Sequence, residues 1–233
     1  MPLILNIETA TDVCSVALAK DGELVAVAET KEPRAHASQL TLLIQKVFTE
    51  SGFGFSETDA LAVSKGPGSY TGLRIGAATA KGLCYALNKP LIAINSLQVM
   101  AANFVQKSKI NPDQSEGNSK LIPLIDARRM EVYSAVFDIE LNFIEETKAE
   151  IINEFSFSEL LKSNRVYFFG DGVNKCLSFL KNNKNAVCIE NFSTSAGGMI
   201  HLSEMAFGKK VFEDLAYFEP YYLKEFVAVQ RKN

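Results

Sequence analysis

The chain has 233 residues, of which 47% are hydrophobic and 22% charged, which allows one large domain or two small ones and excludes wholesale disorder. Lys and Arg total 24 against 27 Asp and Glu, a net charge of −3, which argues against a chain that grips nucleic acid by itself, because phosphate binding needs a local basic excess. No apolar run approaches the roughly 18 residues that span a bilayer, and the opening Met1-Pro2-Leu3-Ile4-Leu5-Asn6-Ile7-Glu8 meets an acid with no basic stretch before it, so neither a membrane segment nor a signal peptide is expected.

The first thirty residues read as strands. Leu3–Ile7 is a short apolar run, Val13–Ala19 follows a Thr-rich turn, and Asp21-Gly22 is a hairpin signal before the alternating Glu23–Glu29. Beyond Pro33 the period changes: Leu40, Leu43, Ile44, Val47 and Phe48 mark one face of a helix over His36–Glu50, ended by Ser51-Gly52. Ala60–Ser64 is a buried strand that runs into Gly66-Pro67-Gly68-Ser69-Tyr70-Thr71-Gly72. A second helix covers Thr71–Leu87, Leu91–Ile94 is a fifth strand, and Ser96 is expected to cap a third helix ending near Gln106. Residues 107–120 are polar, with Ile110 as the only apolar side chain, and form the candidate linker or exposed loop. Strands follow at Leu121–Ile125, Val132–Phe137, about Leu141–Thr147 and Val166–Phe169, with helices near Phe157–Lys162, Val173–Lys181 and Ala196–Phe207. No sequence repeat links the halves, so any duplication is architectural.

The scattered Cys14, Cys84, Cys176 and Cys188 form no CxxC pair, which predicts reduced buried thiols in a cytoplasmic protein. His36 and His201 are too far apart in sequence for a local zinc spacing, and no GxSxG elbow supports a catalytic triad, so both read as ordinary polar residues.

The Gly66–Gly72 turn, between strand and helix, presents N–H groups and a positive helix end to an anion. It lacks the lysine of a Walker A loop, and a simple capped turn explains it equally well. Within the helix that follows, Gly72, Gly76 and Ala80 recur at i+4, with Leu73, Ala77 and Cys84 beside them. Such a stripe admits close approach, either of the chain's own sheet or of a partner helix, and Gly costs about 1 kcal/mol within a helix, so some packing reason exists. Glu8-Thr9-Ala10-Thr11-Asp12 sits in a hairpin turn that could face phosphates, a metal or only solvent. Gly170-Asp171-Gly172 is a strand-to-helix turn, and in Asp126-Ala127-Arg128-Arg129-Met130-Glu131 two arginines lie between acids, where local ion pairing is the expected role.

In order, Ile4–Ala10, Arg34–Ser38, Gly66–Gly76, Lys81-Gly82-Leu83, Asn95-Ser96-Leu97, Asp126–Tyr133 and Pro220–Leu223 resemble the TsaB (YeaZ) family, subunits of the bacterial machinery that makes threonylcarbamoyladenosine in tRNA. The resemblance runs from the first strand to near the C-terminus and is weakest over 141–205. It implies an α/β protein with the two-lobed actin-like, Hsp70-like and sugar-kinase-like (ASKHA) fold, mixed sheets flanked by helices. The lobes are then expected at 1–106 and 121–212, with a last helix at about 213–233 packing back on the first lobe. TsaD-like catalytic subunits carry Asn-His-x-x-x-His after the fifth strand; here Ser96 and Met100 occupy the two ligand positions, and hydroxyl and thioether are poor ligands for Fe or Zn. The resemblance therefore implies a subunit with no catalytic residues, no metal site and no cofactor. Its partners would be a TsaD-like catalytic subunit, a TsaE-like ATPase and a second copy of itself, with tRNA met only through the complex. The family's use of the first two lobe-one helices makes Leu40, Gly72, Leu73, Gly76, Ala77 and Ala80 the expected partner interface. Glu8, Thr9, Gly66, Gly68 and Ser69 would be a vestigial phosphate-loop-like set. The alternative is an autonomous ATP-dependent phosphotransferase of the same fold class, with the 8–12 turn and the 66–72 loop cradling phosphates.

Overall fold

A computed structural model describes residues 2–32, 35–108 and 118–224. In the first lobe β1 (Leu3–Glu8), β2 (Cys14–Lys20), β3 (Glu23–Thr30), β4 (Ala60–Gly66) and β5 (Leu91–Asn95) form one sheet in the order β3-β2-β1-β4-β5. β1 pairs antiparallel with β2 and parallel with β4, Ile4 opposite Ala60 and Ile7 opposite Val63. Every residue of β1 is buried because both faces of the sheet are covered. Leu3, Leu5 and Ile7 meet α1 (His36–Ser51) and α2 (Tyr70–Leu87), whereas Ile4, Ala60, Ala62 and Ile92 meet the other layer. Gly52 ends α1 in the left-handed region and donates to Phe48 O at 3.1 Å, as expected of a glycine C-cap.

The second sheet contains β6 (Ser119–Asp126), β7 (Glu131–Phe137), β8 (Phe143–Ile151), β9 (Arg165–Phe169) and β10 (Ala186–Ile189), in the order β10-β9-β6-β7-β8. Read from the other edge, this order matches the first sheet strand for strand, with the same antiparallel and parallel neighbours around β6 as around β1. The duplication is architectural. β10 went unread in the sequence because its four half-buried residues follow a polar stretch with no periodicity.

α3 (Ser96–Ser108) lies between the sheets. Leu97, Met100, Ala101 and Phe104 pack on the second sheet, and Val99 packs on the first. The helix extends two residues into the expected linker, and β6 begins at Ser119; residues 109–117 lie outside the described residues. Its cap is Asn95, whose Oδ1 accepts from Leu97 N (2.9 Å) and Gln98 N (3.3 Å), and not Ser96, whose hydroxyl accepts from Gly66 N at 3.0 Å. The helix expected over Val173–Lys181 is a 3-10 turn followed by the short α5 (Leu177–Leu180), and α4 (Ser158–Ser163) is close to its expected place.

Two boundaries differ from the expected lobes. α6 (Ile200–Gly208) does not belong to the second lobe: Met199, Leu202, Ala206 and Phe207 bury against Ile4, Ile92 and Ile94 of the first sheet. Residues 213–224 are not helical either. Asp214 Oδ1 turns the backbone at Ala216 and Tyr217, Glu213 bridges to Leu91, and Pro220 follows, so i→i−4 bonding cannot propagate. The segment still lies on the first lobe. Phe218 enters its core, Tyr221 N donates to Lys65 O (2.6 Å), and Lys81 Nζ donates to the carbonyls of Ala216 and Phe218. The remainder of the expected helix, 225–233, lies outside the described residues.

Candidate functional site

The loops singled out in the sequence converge where the two lobes face each other. The β1–β2 turn (residues 9–13) is laid directly on the N-terminal half of α2. Ser69 N donates to Ala10 O (2.7 Å), and His36 Nε2 lies 3.0 Å from Thr11 O, so this buried histidine ties the turn to α1. A Cβ on Gly68 would overlap Ala10 O, one on Gly72 would overlap Thr9 O, and one on Gly76 would overlap the Thr9 hydroxyl. The small-residue stripe is therefore answered from within the chain. Leu40, Gly72, Leu73, Gly76, Ala77 and Ala80 are all buried in the first lobe and do not form an outward interface. Sequence spacing could not make this choice, because either neighbour needs the same missing side chains.

The loop set Glu8, Thr9, Gly66, Gly68 and Ser69 is brought together but closed. Thr9 N donates to Ser64 Oγ (3.2 Å), Ala10 N to Glu8 Oε1 (2.7 Å), Gly72 N to Ser69 Oγ (3.3 Å) and Leu73 N to Ser69 O (2.8 Å). The Tyr221 carbonyl stands 2.6 Å from where a Gly66 Cβ would be. The N–H groups of Thr9, Ala10, Ser69 and Gly72 are thus engaged by the chain's own oxygens, which leaves fewer of these loops' donors for a phosphate. Glu8 is fully buried, and among the described residues neither its Oε2 nor the Thr9 hydroxyl has a hydrogen-bond partner. Burial pushes the Glu8 carboxyl up to about 7, only partly offset by the Ala10 N–H and the nearby Ser64 hydroxyl. The same burial, with Glu8 nearby, raises the Cys14 thiol to about 11, so this cysteine is an inert core residue.

Across the cleft, Asp171 Oδ1 accepts from Asp126 N (3.0 Å), and burial, then the Asp126 and Asp12 carboxylates, raise Asp171 to about 6. The Asp126–Met130 turn of the second lobe thus stands opposite the Glu8–Asp12 turn of the first, as the matching strand orders require. At the positions where an imidazole pair would sit, Ser96 is bonded to Gly66 N and Met100 is packed among Leu97, Phe104 and Phe169. Among the described residues no group of three or more His, Cys, Asp or Glu is placed to hold a metal ion.

Sequence reasoning missed a groove of about 930 Å³ between β5, β8 and the 213–222 segment, lined by Lys65, Asn95, Glu146, Glu213, Asp214 and Tyr217 among others. Its walls come from stretches far apart in the chain, and the last of them was expected to be helical. Among the described residues no helix is long and apolar enough to cross a membrane.

The duplicated sheets, the shared α3 and the facing turns define a two-lobed α/β protein with mixed sheets flanked by helices. A family model described as TsaD, tRNA N6-adenosine threonylcarbamoyltransferase, matches residues 27–230. The Escherichia coli K12 tRNA threonylcarbamoyladenosine biosynthesis protein TsaB is 39% identical over 158 residues, which cover 65% of this chain and 64% of that protein. YeaZ from Pseudomonas aeruginosa superposes with a TM-score of 0.79 at 23% identity, over 96% of this chain and all of that one. The activator of the 2-hydroxyisocaproyl-CoA dehydratase from Clostridium difficile, solved with ADPNP, shares the fold at a TM-score of 0.50 and 9% identity, over 91% of this chain and 98% of that one. The chain belongs to the family of that model, and the curated relatives it resembles include several named tRNA threonylcarbamoyladenosine biosynthesis protein TsaB. The matched stretches span less than two thirds of the length of the curated relatives.

Two predictions follow from the closed turn. Gly76→Leu should destabilise the fold by at least about 1–3 kcal/mol through overpacking against Thr9, read as a lower denaturation midpoint. An unchanged midpoint would mean that the stripe does not face this turn. The second concerns Glu8. Its folded pKa lies above its unfolded value of 4.5, so the folded state retains a proton that the unfolded state loses. Stability should fall as pH rises from about 4.5 to about 7, by about 3 kcal/mol in all, and stay level above that. Glu8→Gln should abolish this portion of the slope in urea titrations at pH 5 and pH 8; an identical slope in both proteins would refute the assignment.

Proposed function

We propose that this chain is a non-catalytic subunit of the assembly that transfers a threonylcarbamoyl group from its adenylate to the adenosine at position 37 of tRNA. In that assembly it dimerises with a TsaD-like catalytic subunit, and a TsaE-like ATPase is the third member. The observation that supports this reading is the crowding of the phosphate-loop-like region by the chain itself: Thr9, Ala10, Ser69 and Gly72 direct their N–H groups to the chain's own oxygens, and the carbonyls of Ala10 and Tyr221 stand against Gly68 and Gly66. Ser96 and Met100, at the positions where the catalytic relatives' motif has imidazoles, are occupied in the packing of α3.

With the buried stripe excluded, the docking surface is the outward face of α1 and α2. Tyr85 is 84% exposed and Leu42 54%. Ala78 and Gly82 lie on the same exposed side of α2 as Tyr85, and a Cβ on Gly82 would meet nothing within 4 Å. Small residues flanked by an aromatic and a leucine allow a partner helix to come close and then bury apolar area at the rim. The same face serves self-association, so homodimer and heterodimer compete for it. Contact with tRNA is made through the assembled complex, in keeping with the chain's net charge of −3.

Reconstitution tests both statements. The isolated chain, given the threonylcarbamoyl adenylate and unmodified tRNA, should form no product, and addition of the TsaD-like and TsaE-like proteins should restore it. Gly82→Arg should remain folded, since it removes about 1 kcal/mol of helix-propensity cost at an exposed site. It should nevertheless be monomeric by light scattering and fail to support product formation in the mixture. Robust product from the isolated chain would make it the enzyme, and a Gly82→Arg protein that still dimerises would move the interface elsewhere.

A further inference from the structure

The tip of the β6–β7 hairpin holds two adjacent arginines in a conformation that L residues rarely adopt. Arg128 has φ 69° and Arg129 φ 50°, both in the left-handed region where the Cβ crowds the backbone. The turn is closed by Ala127 N to Glu131 O (3.1 Å), Glu131 N to Arg128 O (3.1 Å) and Arg128 N to Asp126 Oδ1 (2.6 Å). Glycine or asparagine would make such a turn without strain. A strained turn built from charged residues points to a use for their side chains.

The two acids that flank the arginines in sequence are already matched. Lys175, from the turn after β9, pairs with Asp126 at 2.7 Å and also donates to Glu131 O, while Lys224, from the C-terminal segment, pairs with the Glu131 carboxylate. The acids beside the arginines therefore take their cations from other elements. Neither guanidinium has a hydrogen bond or ion pair among the described residues. This departs from the local ion pairing expected from the sequence, where Asp126 and Glu131 were the obvious partners. Residues 128–130 are all exposed at the tip, and Asp171 and Asp12 stand on the cleft side of the turn. A small phosphorylated ligand needs a concave site. An exposed tip with two planar cations, whose adjacent acids Asp126 and Glu131 are neutralised by Lys175 and Lys224, instead suits an extended polyanion running over the outside, whose phosphates guanidinium forks bind in bidentate fashion.

We infer that Arg128 and Arg129 contact the phosphodiester backbone of RNA in the assembled complex, adding this chain's tip to the RNA-binding surface. The inference rests on the tRNA reading above and gives a definite role to a chain that is acidic overall.

The test is fluorescence anisotropy of an unmodified tRNA transcript binding to the complex of this chain with its TsaD-like partner, over about 50–200 mM salt. Arg128→Asn/Arg129→Asn removes both charges with a residue that tolerates the left-handed turn. It should weaken binding about tenfold and reduce the slope of log Kd against log salt by about 1.5–2. Arg128→Lys/Arg129→Lys should keep the slope and lose part of the affinity. An unchanged Kd and slope in the Asn variant would overturn the inference. So would loss of the protein partner with RNA binding otherwise intact, which would assign the pair to a protein interface. A wild-type complex that forms but binds no tRNA would instead overturn the functional reading, and this inference with it.

Discussion

The close approach of the β1–β2 turn to α2 is the constraint on which the rest of the first lobe depends. Peptide groups of Thr9 and Ala10 occupy the space that side chains at 68 and 72 would fill, and the Thr9 side chain occupies that at 76. Three glycines in and before one helix weaken it locally, and the tertiary contact compensates. The contact also fixes which side of α2 faces inward, and so leaves Ala78, Gly82 and Tyr85 outward.

The second organising element is α3, which serves two sheets at once. Val99 closes the far face of the first sheet, while Leu97, Met100 and Phe104 close the second. Phe104 stacks on Phe169 at 4.1 Å between ring centroids. Because both sheets repeat one strand order, their first turns, 9–13 and 126–131, end up facing each other. In the first lobe that turn is buried except for Asp12. In the second it is exposed and carries two arginines with no hydrogen bond or ion pair among the described residues, so the two equivalent positions differ in burial.

The C-terminal segment shows how side-chain chemistry replaces regular structure. Residues 213–224 make no helix, yet Phe218 seals the core near Leu91, Lys81 holds two of the segment's carbonyls, and Lys224 reaches across to Glu131 on the second lobe. The segment thereby touches both lobes and forms one wall of the groove between β5 and β8.

Much was legible from local pattern alone. Strict periodicity placed α1 within a residue of its ends, the alternation after Asp21-Gly22 placed β3, and the apolar runs placed β1, β4 and β9, since burial imposes a period wherever an element has one dry face. The ordered motifs carried the family and, with it, the two-lobed fold. Spacing could not say which surface a small-residue stripe serves, whether an acid in a turn is solvated or buried, or which cation neutralises Asp126. Each of these depends on groups more than forty residues away: Thr9 on Gly76, Ser64 beside Glu8, Lys175 against Asp126. By itself the sequence determined the elements and the family, because both are written in short-range order. Only the tertiary structure decided that the stripe is core, that Glu8 is buried and that Asp126 and Glu131 take lysines rather than the adjacent arginines, because packing, desolvation and ion pairing are set by neighbours in space.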